Sequence, residues 1–310
     1  MLRNAAATAA MLALPFPLAA CGSGDTPRAS ATSGTPAAPP DADHARLTAW
    51  TDTLRTEGLA RPDVPIGRSA TRVGELAIGT PYEAYTLEAY LRAGGSPTGT
   101  EPLTLSLTRF DCVSLVECCL AVSRSANDEG PASWERFGKE VERMRYHGGI
   151  RRGYTSRLHY FSEWITDGEG RGLLHGLGAE LGGVEDTRPL RFMTEHRGSY
   201  TALADDSVFR DIGAMERGLD GHARHVVPTA RISEVADRIQ TGDVLAFATA
   251  IPGLDVTHAA FAYRRPDGVL GVMHAPLSGG AVEISRYALP EYVAAIRRST
   301  GILVARPLRA

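Results

Sequence analysis

The chain has 310 residues, of which 43% are hydrophobic and 22% charged, and its formal net charge at pH 7 is -3. A slightly negative charge without a basic block argues against nucleic-acid binding. Residues 45–310 have ordinary globular composition and contain no second linker rich in Pro, Gly and Ser, so we expect one large domain there, as a monomer.

The first 20 residues have the features of a secretory signal peptide. A positive charge at Arg3 precedes an apolar centre, and small residues follow. The ending Leu-Ala-Ala-Cys at residues 18–21 resembles the lipobox of bacterial lipoproteins, which implies that the leader is removed before Cys21 and that Cys21 carries the lipid. The alternative is an ordinary signal peptide with an accidental cysteine. We expect a periplasmic, lipid-anchored protein, and Gly22 favours sorting to the outer membrane.

Residues 22–44 are mostly Gly, Ser, Thr, Ala and Pro and cannot bury enough apolar surface to fold. With Cys21 they form a predicted lipidated tether over residues 21–44. A flexible linker of this length spans tens of ångströms, since its end-to-end distance grows as roughly 5–6 Å times the square root of its length. The anchor therefore leaves the active face of the domain free.

A candidate nucleophile lies where strand-like residues give way to a helix. Asp111 is a good N-cap, and the apolar residues that follow recur at helical spacing, which places Cys112 on the first turn. Unpaired backbone N–H groups and the helix dipole favour the thiolate there. The alternative is an inert buried thiol, which is how we interpret Cys118 and Cys119. Three thiols remain once Cys21 is lipidated, an odd number that indicates a free reactive one.

Helical patterns come first in the chain and strand patterns last, which predicts an α+β fold with an antiparallel sheet. The predicted helices cover residues 45–59, 66–77, 112 onward, 132–144, 157–165, 202–218, 232–238 and 289–297. The predicted extended segments cover residues 85–91, 103–107, 242–249, 256–263, 269–275, 281–285 and 301–306.

Two histidines lie on either side of a predicted hairpin. Pro-Asp-Gly at residues 266–268 is a strong turn signal between two strand-like runs. A turn centred on Pro266 would pair His258 directly with His274, whereas a centre between Pro266 and Asp267 would pair His258 with Ala275.

A glycine-punctuated segment dense in Arg and Tyr, residues 145–154, precedes the predicted helix 157–165. Loops of this kind commonly carry binding groups. Arg157 suits a carboxylate ligand, and Tyr160 offers stacking and a hydrogen bond. The alternative is a solvated Arg and a core Tyr.

Several segments together resemble the NlpC-type branch of the papain-like cysteine hydrolases and, more narrowly, the N-acetylmuramoyl-L-alanine amidase-like family. The resemblance covers most of the chain after the tether and is carried by the order of the segments 111–117, 148–165, 242–243, 253–262 and 273–275. It implies a papain-like fold, in which a nucleophile at a helix N-terminus packs on the C-terminal sheet.

The resemblance also implies roles. Cys112 corresponds to the nucleophile, His258 to the base and His274 to the polar residue that orients the base. By extension, Tyr154, Arg157, Tyr160 and Asp255 correspond to substrate contacts. The implied partner is peptidoglycan or its muropeptide fragments, cut at the amide between N-acetylmuramic acid and L-Ala without a cofactor or metal. The runner-up is a D,L-endopeptidase that cuts the D-glutamyl bond within the stem peptide.

Three other functions fit parts of the sequence. Cys112, His258 and His274 have acceptable ligand types for a catalytic zinc, although they lack the close spacing of most structural zinc sites. The Arg/Tyr segment would suit a lipoprotein that binds wall peptides without cleaving them. A thiol acyltransferase acting on lipids could also use such a fold.

Overall fold

The computed structural model describes residues 40–276 and 280–309. The predicted signal peptide, Cys21 and all but the last five residues of the predicted tether therefore lie outside the described residues. Those last five residues already belong to a helix, because α1 begins at Pro40. Two acidic residues in its first turn suit the helix dipole, and one of them, Asp43, accepts a 2.7 Å hydrogen bond from the backbone N–H of Leu107.

The chain is mixed helix and antiparallel sheet, as the sequence predicts. The α-helices are α1 (Pro40–Thr56), α2 (Ile66–Leu76), α3 (Ala89–Arg92), α4 (Cys112–Ser125), α5 (Trp134–Arg145), α6 (Phe161–Gly170), α7 (Phe192–Glu195), α8 (Asp206–Gly218), α9 (Ile232–Val235) and α10 (Leu289–Ala295). The strands are β1 (Leu174–Gly176), β2 (Val184–Asp186), β3 (Arg224–Pro228), β4 (Val244–Thr249), β5 (Val256–Arg264), β6 (Leu270–His274), β7 (Glu283–Ile284) and β8 (Ser299–Pro307).

The eight described strands form one sheet. Its order is β2-β3-β8-β4-β5-β6-β7, and β1 also pairs with β8. The sheet has helices on both faces. Alternate residues of β4 point into two different cores, so that Val244 and Ala246 pack with α1, α2, α4 and α5, whereas Leu245 and Phe247 pack with α9 and α10. Strand β4 is therefore buried along its whole length.

An internal ion pair fixes helix α4 in the core that it shares with α1, α2 and α5, which we call the first core. Arg145 of α5 donates to Glu117 of α4 at 2.7 Å, and both side chains are at most 2% exposed. Arg145 also donates to the carbonyl of Thr104 at 2.7 Å. Because removal of one partner from such a pair leaves an uncompensated buried charge, the pair holds α4 and α5 in one arrangement.

Gly242 allows the start of β4 to approach α2 closely. Its φ is +93°, and a Cβ at this position would lie 2.2 Å from the backbone carbon and oxygen of Gly67. The next residue, Asp243, accepts two 2.8 Å hydrogen bonds from the guanidinium of Arg306 on β8. The Gly-Asp pair at 242–243 thus has a structural role. Gly242 lets the start of β4 lie against α2, and Asp243 connects β4 to β8.

The sequence interpretation was wrong in three segments. Residues 85–91, predicted as extended, form a 3-10 turn followed by α3, as suits Leu87 and Leu91 at a spacing of four. Residues 103–107 pair with no described strand, although Leu103 and Leu105 pack on the first core. The helix predicted from residue 157 begins at Phe161.

Candidate active site

The start of α4 is built by a reciprocal cap. The Asp111 carboxylate accepts a 2.7 Å hydrogen bond from the N–H of Ser114, and the Ser114 hydroxyl accepts a 2.9 Å bond from the N–H of Asp111. This capping box makes Cys112 the first residue of the helix, as predicted. The cap uses the third N–H of the helix, so the first two, on Cys112 and Val113, remain available beside the sulfur.

The environment of Cys112 differs from the one expected. The residue is 3% exposed, and burial is the main reason why the pKa of its thiol rises to about 12; the charge of Asp111 acts in the same direction. Hydrogen bonds from the backbone N–H groups of Ala259, Cys112 and Val113 lower the pKa, but they do not outweigh burial. The helix start therefore lowers the pKa of Cys112, as predicted, but by less than burial raises it. In the resting state Cys112 is a neutral thiol.

The contact with Ala259 places the Cys112 sulfur against the strand that carries His258. At this point β5 contains a bulge: Ala246 pairs with Ala259 and Ala248 with Val256, so that Phe247 alone faces both Thr257 and His258. Bulges bend a strand and redirect its side chains, and they are frequent beside active sites. The Phe247 ring stacks on the His258 imidazole at a centroid distance of 5.5 Å and an interplanar angle of 14°.

The two histidines of the hairpin meet, although by a different register from either predicted one. Phe261 pairs with Met273, and the turn is centred on Asp267 with Gly268 at a φ of +83°. A three-residue loop of this kind needs a left-handed residue, which glycine provides. The predicted turn centres were wrong, but His258 and His274 remain diagonal neighbours on one face of the sheet.

His258 Nε2 lies 2.8 Å from His274 Nδ1, a hydrogen bond between two buried imidazoles. The hydroxyl of Tyr292, on α10, lies 3.1 Å from the same His274 Nδ1. Burial, and then the neighbouring His274, hold the pKa of His258 well below its usual value of 6.5. His258 is therefore neutral at pH 7 and able to accept a proton.

Sequence reasoning missed four residues of this cluster. Phe247, Tyr292 and Glu283 surround the histidines, and Tyr82 is bridged to Phe110 just before the Cys112 helix. The Cys112 sulfur is close enough to Tyr82 and Tyr292 to raise the pKa of both phenols, second only to burial. These residues come from separate segments, and none carries a local motif that would have predicted its place.

The four predicted substrate contacts are all buried and have partners within the protein. Tyr160 donates a 2.6 Å hydrogen bond to Glu216, and Asp255 accepts a 2.7 Å bond from the N–H of Ser162. Arg157 pairs with Glu88 and stacks over the ring of Tyr154 at 4.9 Å. Their role in substrate binding stays a prediction, and in this structure they organise the region around α6.

Within residues 40–276 and 280–309, no group of three or more His, Cys, Asp and Glu side chains is arranged to hold a metal ion. In the same part of the chain no helix is long and apolar enough to cross a membrane.

A comparison with models of known protein families shows to which family the chain belongs. Residues 72–302, which include Cys112, His258 and His274, match the AmiA-like, N-acetylmuramoyl-L-alanine amidase-like family. The chain belongs to this family. The narrower resemblance stated from the sequence is thereby confirmed.

Solved structures agree with the family assignment. An N-acetylmuramoyl-L-alanine amidase from Bacteroides uniformis is 30% identical, with a TM-score of 0.71 over 78% of this chain and 98% of that one. A Bacteroides fragilis protein provisionally named a xylanase is also 30% identical, with a TM-score of 0.68 over 76% and 98%. A Legionella pneumophila protein, 18% identical with a TM-score of 0.62 over 86% and 95%, shares the fold. No curated protein matches.

Proposed function

We propose that this family member is a cysteine amidase that hydrolyses the amide between N-acetylmuramic acid and L-Ala in peptidoglycan or its fragments. The observation that carries the proposal is the buried Cys112 thiol at the start of α4, packed against the strand whose His258 is hydrogen-bonded to His274. A thiol, a neutral base and a group that orients the base are the elements of nucleophilic amide hydrolysis.

The first half of the reaction follows from the protonation states. His258 engages His274 through Nε2, so Nδ1 is the nitrogen that accepts the thiol proton. As the sulfur attacks the carbonyl carbon of the lactyl group, this proton passes to His258, and His258 then transfers it to the leaving nitrogen of L-Ala. The products of this half are a thioester on Cys112 and a free peptide. In the second half, water attacks the thioester with His258 as base, which restores the thiol and releases the sugar acid.

The helix start supplies the groups that stabilise the tetrahedral oxyanion. The backbone N–H groups of Cys112 and Val113 already point at the sulfur, and the Asp111 cap occupies only the next N–H along. Donors placed where the negative charge develops are commonly the largest single contribution to such catalysis.

Two rival chemistries fit the site less well. A glycosidase, suggested by the name of the Bacteroides fragilis protein, needs two carboxyl groups about 5–9.5 Å apart across the bond. Here the groups near the sulfur include the phenols of Tyr82 and Tyr292, and the nearby Asp111 is engaged as a helix cap. The histidine pair adds two imidazoles and no carboxyl group. A zinc hydrolase needs three protein ligands around one ion, and no His, Cys, Asp and Glu side chains of residues 40–276 and 280–309 are arranged in such a group.

The superfamily of the domain and its place in the cell are also part of the proposal. We infer a papain-like domain of the NlpC type over residues 45–310, held at the periplasmic face of a membrane by a lipid on Cys21 and a tether. The support is the order of Cys112, His258 and His274 along the chain and the lipobox-like residues 18–21. Gly22 supports the outer membrane as the destination.

Digestion of a defined muropeptide tests which bond is cut. We expect mass spectrometry to find free N-acetylmuramic acid together with a peptide whose N-terminus is an intact L-Ala. A sugar product that still carries L-Ala-D-Glu would instead identify the endopeptidase. Binding without cleavage would show that the protein is only a wall-binding lipoprotein.

The pH dependence should reflect a neutral base and a protonated thiol. Because the pKa of His258 is held well below 6.5, kcat/KM should stay constant as the pH falls to 6.5 and decline only below it, where His258 gains a proton. Because the pKa of Cys112 is raised, the basic limb should lie above 9. Rates measured from about pH 5 to about pH 10, with circular dichroism at each pH as a check on folding, test this. An acidic limb centred at or above pH 6.5 would contradict it.

A further inference from the structure

The second nitrogen of His274 lacks the partner that a buried imidazole usually has. Nε2 is buried and has no hydrogen-bond partner among residues 40–276 and 280–309. The nearest charged group is the Glu283 carboxylate, whose Oε1 lies 3.6 Å away. The backbone keeps the two residues together, since His274 and Glu283 are directly paired across β6 and β7. Cross-strand partners on one face have Cβ atoms about 4.5–5.5 Å apart.

The hydrogen bonds around the histidines leave a choice of tautomer that matters for chemistry. If His274 carries its proton on Nε2, the single lone pair of its Nδ1 is shared by two donors, His258 Nε2 at 2.8 Å and the Tyr292 hydroxyl at 3.1 Å. His258 Nδ1 then has a free lone pair for the Cys112 proton. If His274 carries its proton on Nδ1, it donates to His258 Nε2. His258 then carries its own proton on Nδ1 and is unable to act as the base.

We propose that Glu283 is a positioning residue that holds the His274 proton on Nε2 and thereby keeps His258 in the tautomer able to deprotonate Cys112. The proposal rests on the proposed function. It extends the Cys112-His258-His274 series by one carboxylate, which attracts the protonated Nε2 of His274 from 3.6 Å without itself touching substrate. The Tyr292 hydroxyl acts in the same direction from α10 by donating to His274 Nδ1.

The charge of Glu283 supports this role. Contact with His274 lowers the pKa of Glu283, burial opposes that effect, and the charge of Arg286 adds to it, so the carboxylate is ionised at neutral pH. When His258 takes the thiol proton, positive charge develops on the histidine pair. A carboxylate on the far side of His274 stabilises that charge, as the third member of a Ser-His-Asp triad does.

The size of the effect is limited by exposure. The Glu283 side chain is 52% exposed, whereas that of His274 is 2% exposed. Solvent weakens an interaction with a half-exposed carboxylate, so Glu283 should contribute much less than a buried triad aspartate. Two further titratable or charged groups of the described residues act on the pair: Tyr292 of α10, whose hydroxyl lies 3.1 Å from His274 Nδ1, and Arg286 after β7, whose charge acts on Glu283. Cys112 acts on Tyr292, and Asp111, the cap that precedes α4, acts on Cys112.

Three variants separate the parts of this role. Glu283→Ala removes both the acceptor and the charge, Glu283→Gln keeps an acceptor oxygen, and Glu291→Gln removes one charge from an exposed glutamate of neighbouring α10. We expect Glu283→Ala to lower kcat about tenfold with little change in KM, Glu283→Gln to lower it about two- to threefold, and Glu291→Gln to leave it unchanged. The acidic limb of the Glu283→Gln profile should lie at lower pH than that of the wild type, because the histidine pair loses a stabilising negative charge.

Nitrogen NMR of the histidine side chains gives a readout that a purely structural role would not change. In an inactive Cys112→Ala background, both His258 and His274 should carry their protons on Nε2. With Glu283→Ala added, a population of His258 should carry its proton on Nδ1.

Unchanged kcat and unchanged tautomers in Glu283→Ala would overturn the positioning role while leaving the cysteine mechanism intact. Activity retained by Cys112→Ala would overturn the proposed function instead. The two failures are therefore distinguishable in one set of assays. A loss of activity in Glu283→Ala with unchanged tautomers would also overturn the proposal, since it would assign the loss to structure.

Discussion

Replacement of Cys112 by Ala should abolish hydrolysis of peptidoglycan fragments, with a fall in kcat of at least about 10⁴-fold. Without the sulfur, water would have to attack the amide directly, with no covalent intermediate. Because Cys112 is buried and small, its replacement by Ala removes only one sulfur atom from the packing, and the fold should persist.

Cys118 provides the matched control. It lies on the same helix, is equally buried, and its sulfur donates only a 3.5 Å hydrogen bond to the carbonyl of Ser106. Cys118→Ala should therefore retain activity while testing the same loss of a sulfur from α4. Alkylation of the wild type with iodoacetamide should inactivate it, and a chelator should not. Equal activity of Cys112→Ala and wild type would refute the mechanism.

Replacement of His258 by Ala should have the second large effect, again about 10⁴-fold in kcat. The raised pKa of Cys112 is the reason, because a thiol in this environment does not ionise without a base that takes its proton. His274→Ala should retain a measurable residual rate, about a hundredfold below the wild type, since His258 itself is unchanged and loses only the partner that fixes its tautomer.

His222→Ala is a control for the loss of a histidine, because this residue is exposed. Thermal unfolding of all three variants checks that the sheet is intact, which matters for His274 because it is buried. The informative result is which of the two variants, His258→Ala or His274→Ala, loses more kcat. A loss in His274→Ala as large as that in His258→Ala, with unchanged stability, would show that His274 is itself the base.

The parts of the site that the sequence predicts are those set by local patterns. The Asp111 cap, the helix that begins at Cys112, the central strands β4 to β6 and β8, and the meeting of His258 with His274 all follow from residues close together in the chain. Even the wrong hairpin register preserved the histidine contact, because a shift of two residues keeps a side chain on the same face.

The remainder depends on tertiary structure. The bulge at His258 arises from the way β5 pairs with β4, and neither strand carries a Gly or another signal for it. Strands β1, β2 and β3 have three, three and five residues, which is too short for a periodic pattern. The raised pKa of Cys112 reflects burial by other segments, which outweighs the local contribution of the helix start. Tyr292 and Glu283 reach His274 only through packing and strand pairing.

Hydrolysis of a defined muropeptide in the presence of hydroxylamine tests the central claim most directly. If Cys112 forms a thioester with the lactyl carbonyl of N-acetylmuramic acid, hydroxylamine should compete with water for it, and mass spectrometry should detect the muramic hydroxamate beside a peptide with a free L-Ala N-terminus. This product should be absent with Cys112→Ala. A hydroxamate on the D-glutamyl carbonyl would contradict the assigned bond, and cleavage that gives only free acid at every hydroxylamine concentration would contradict the covalent mechanism.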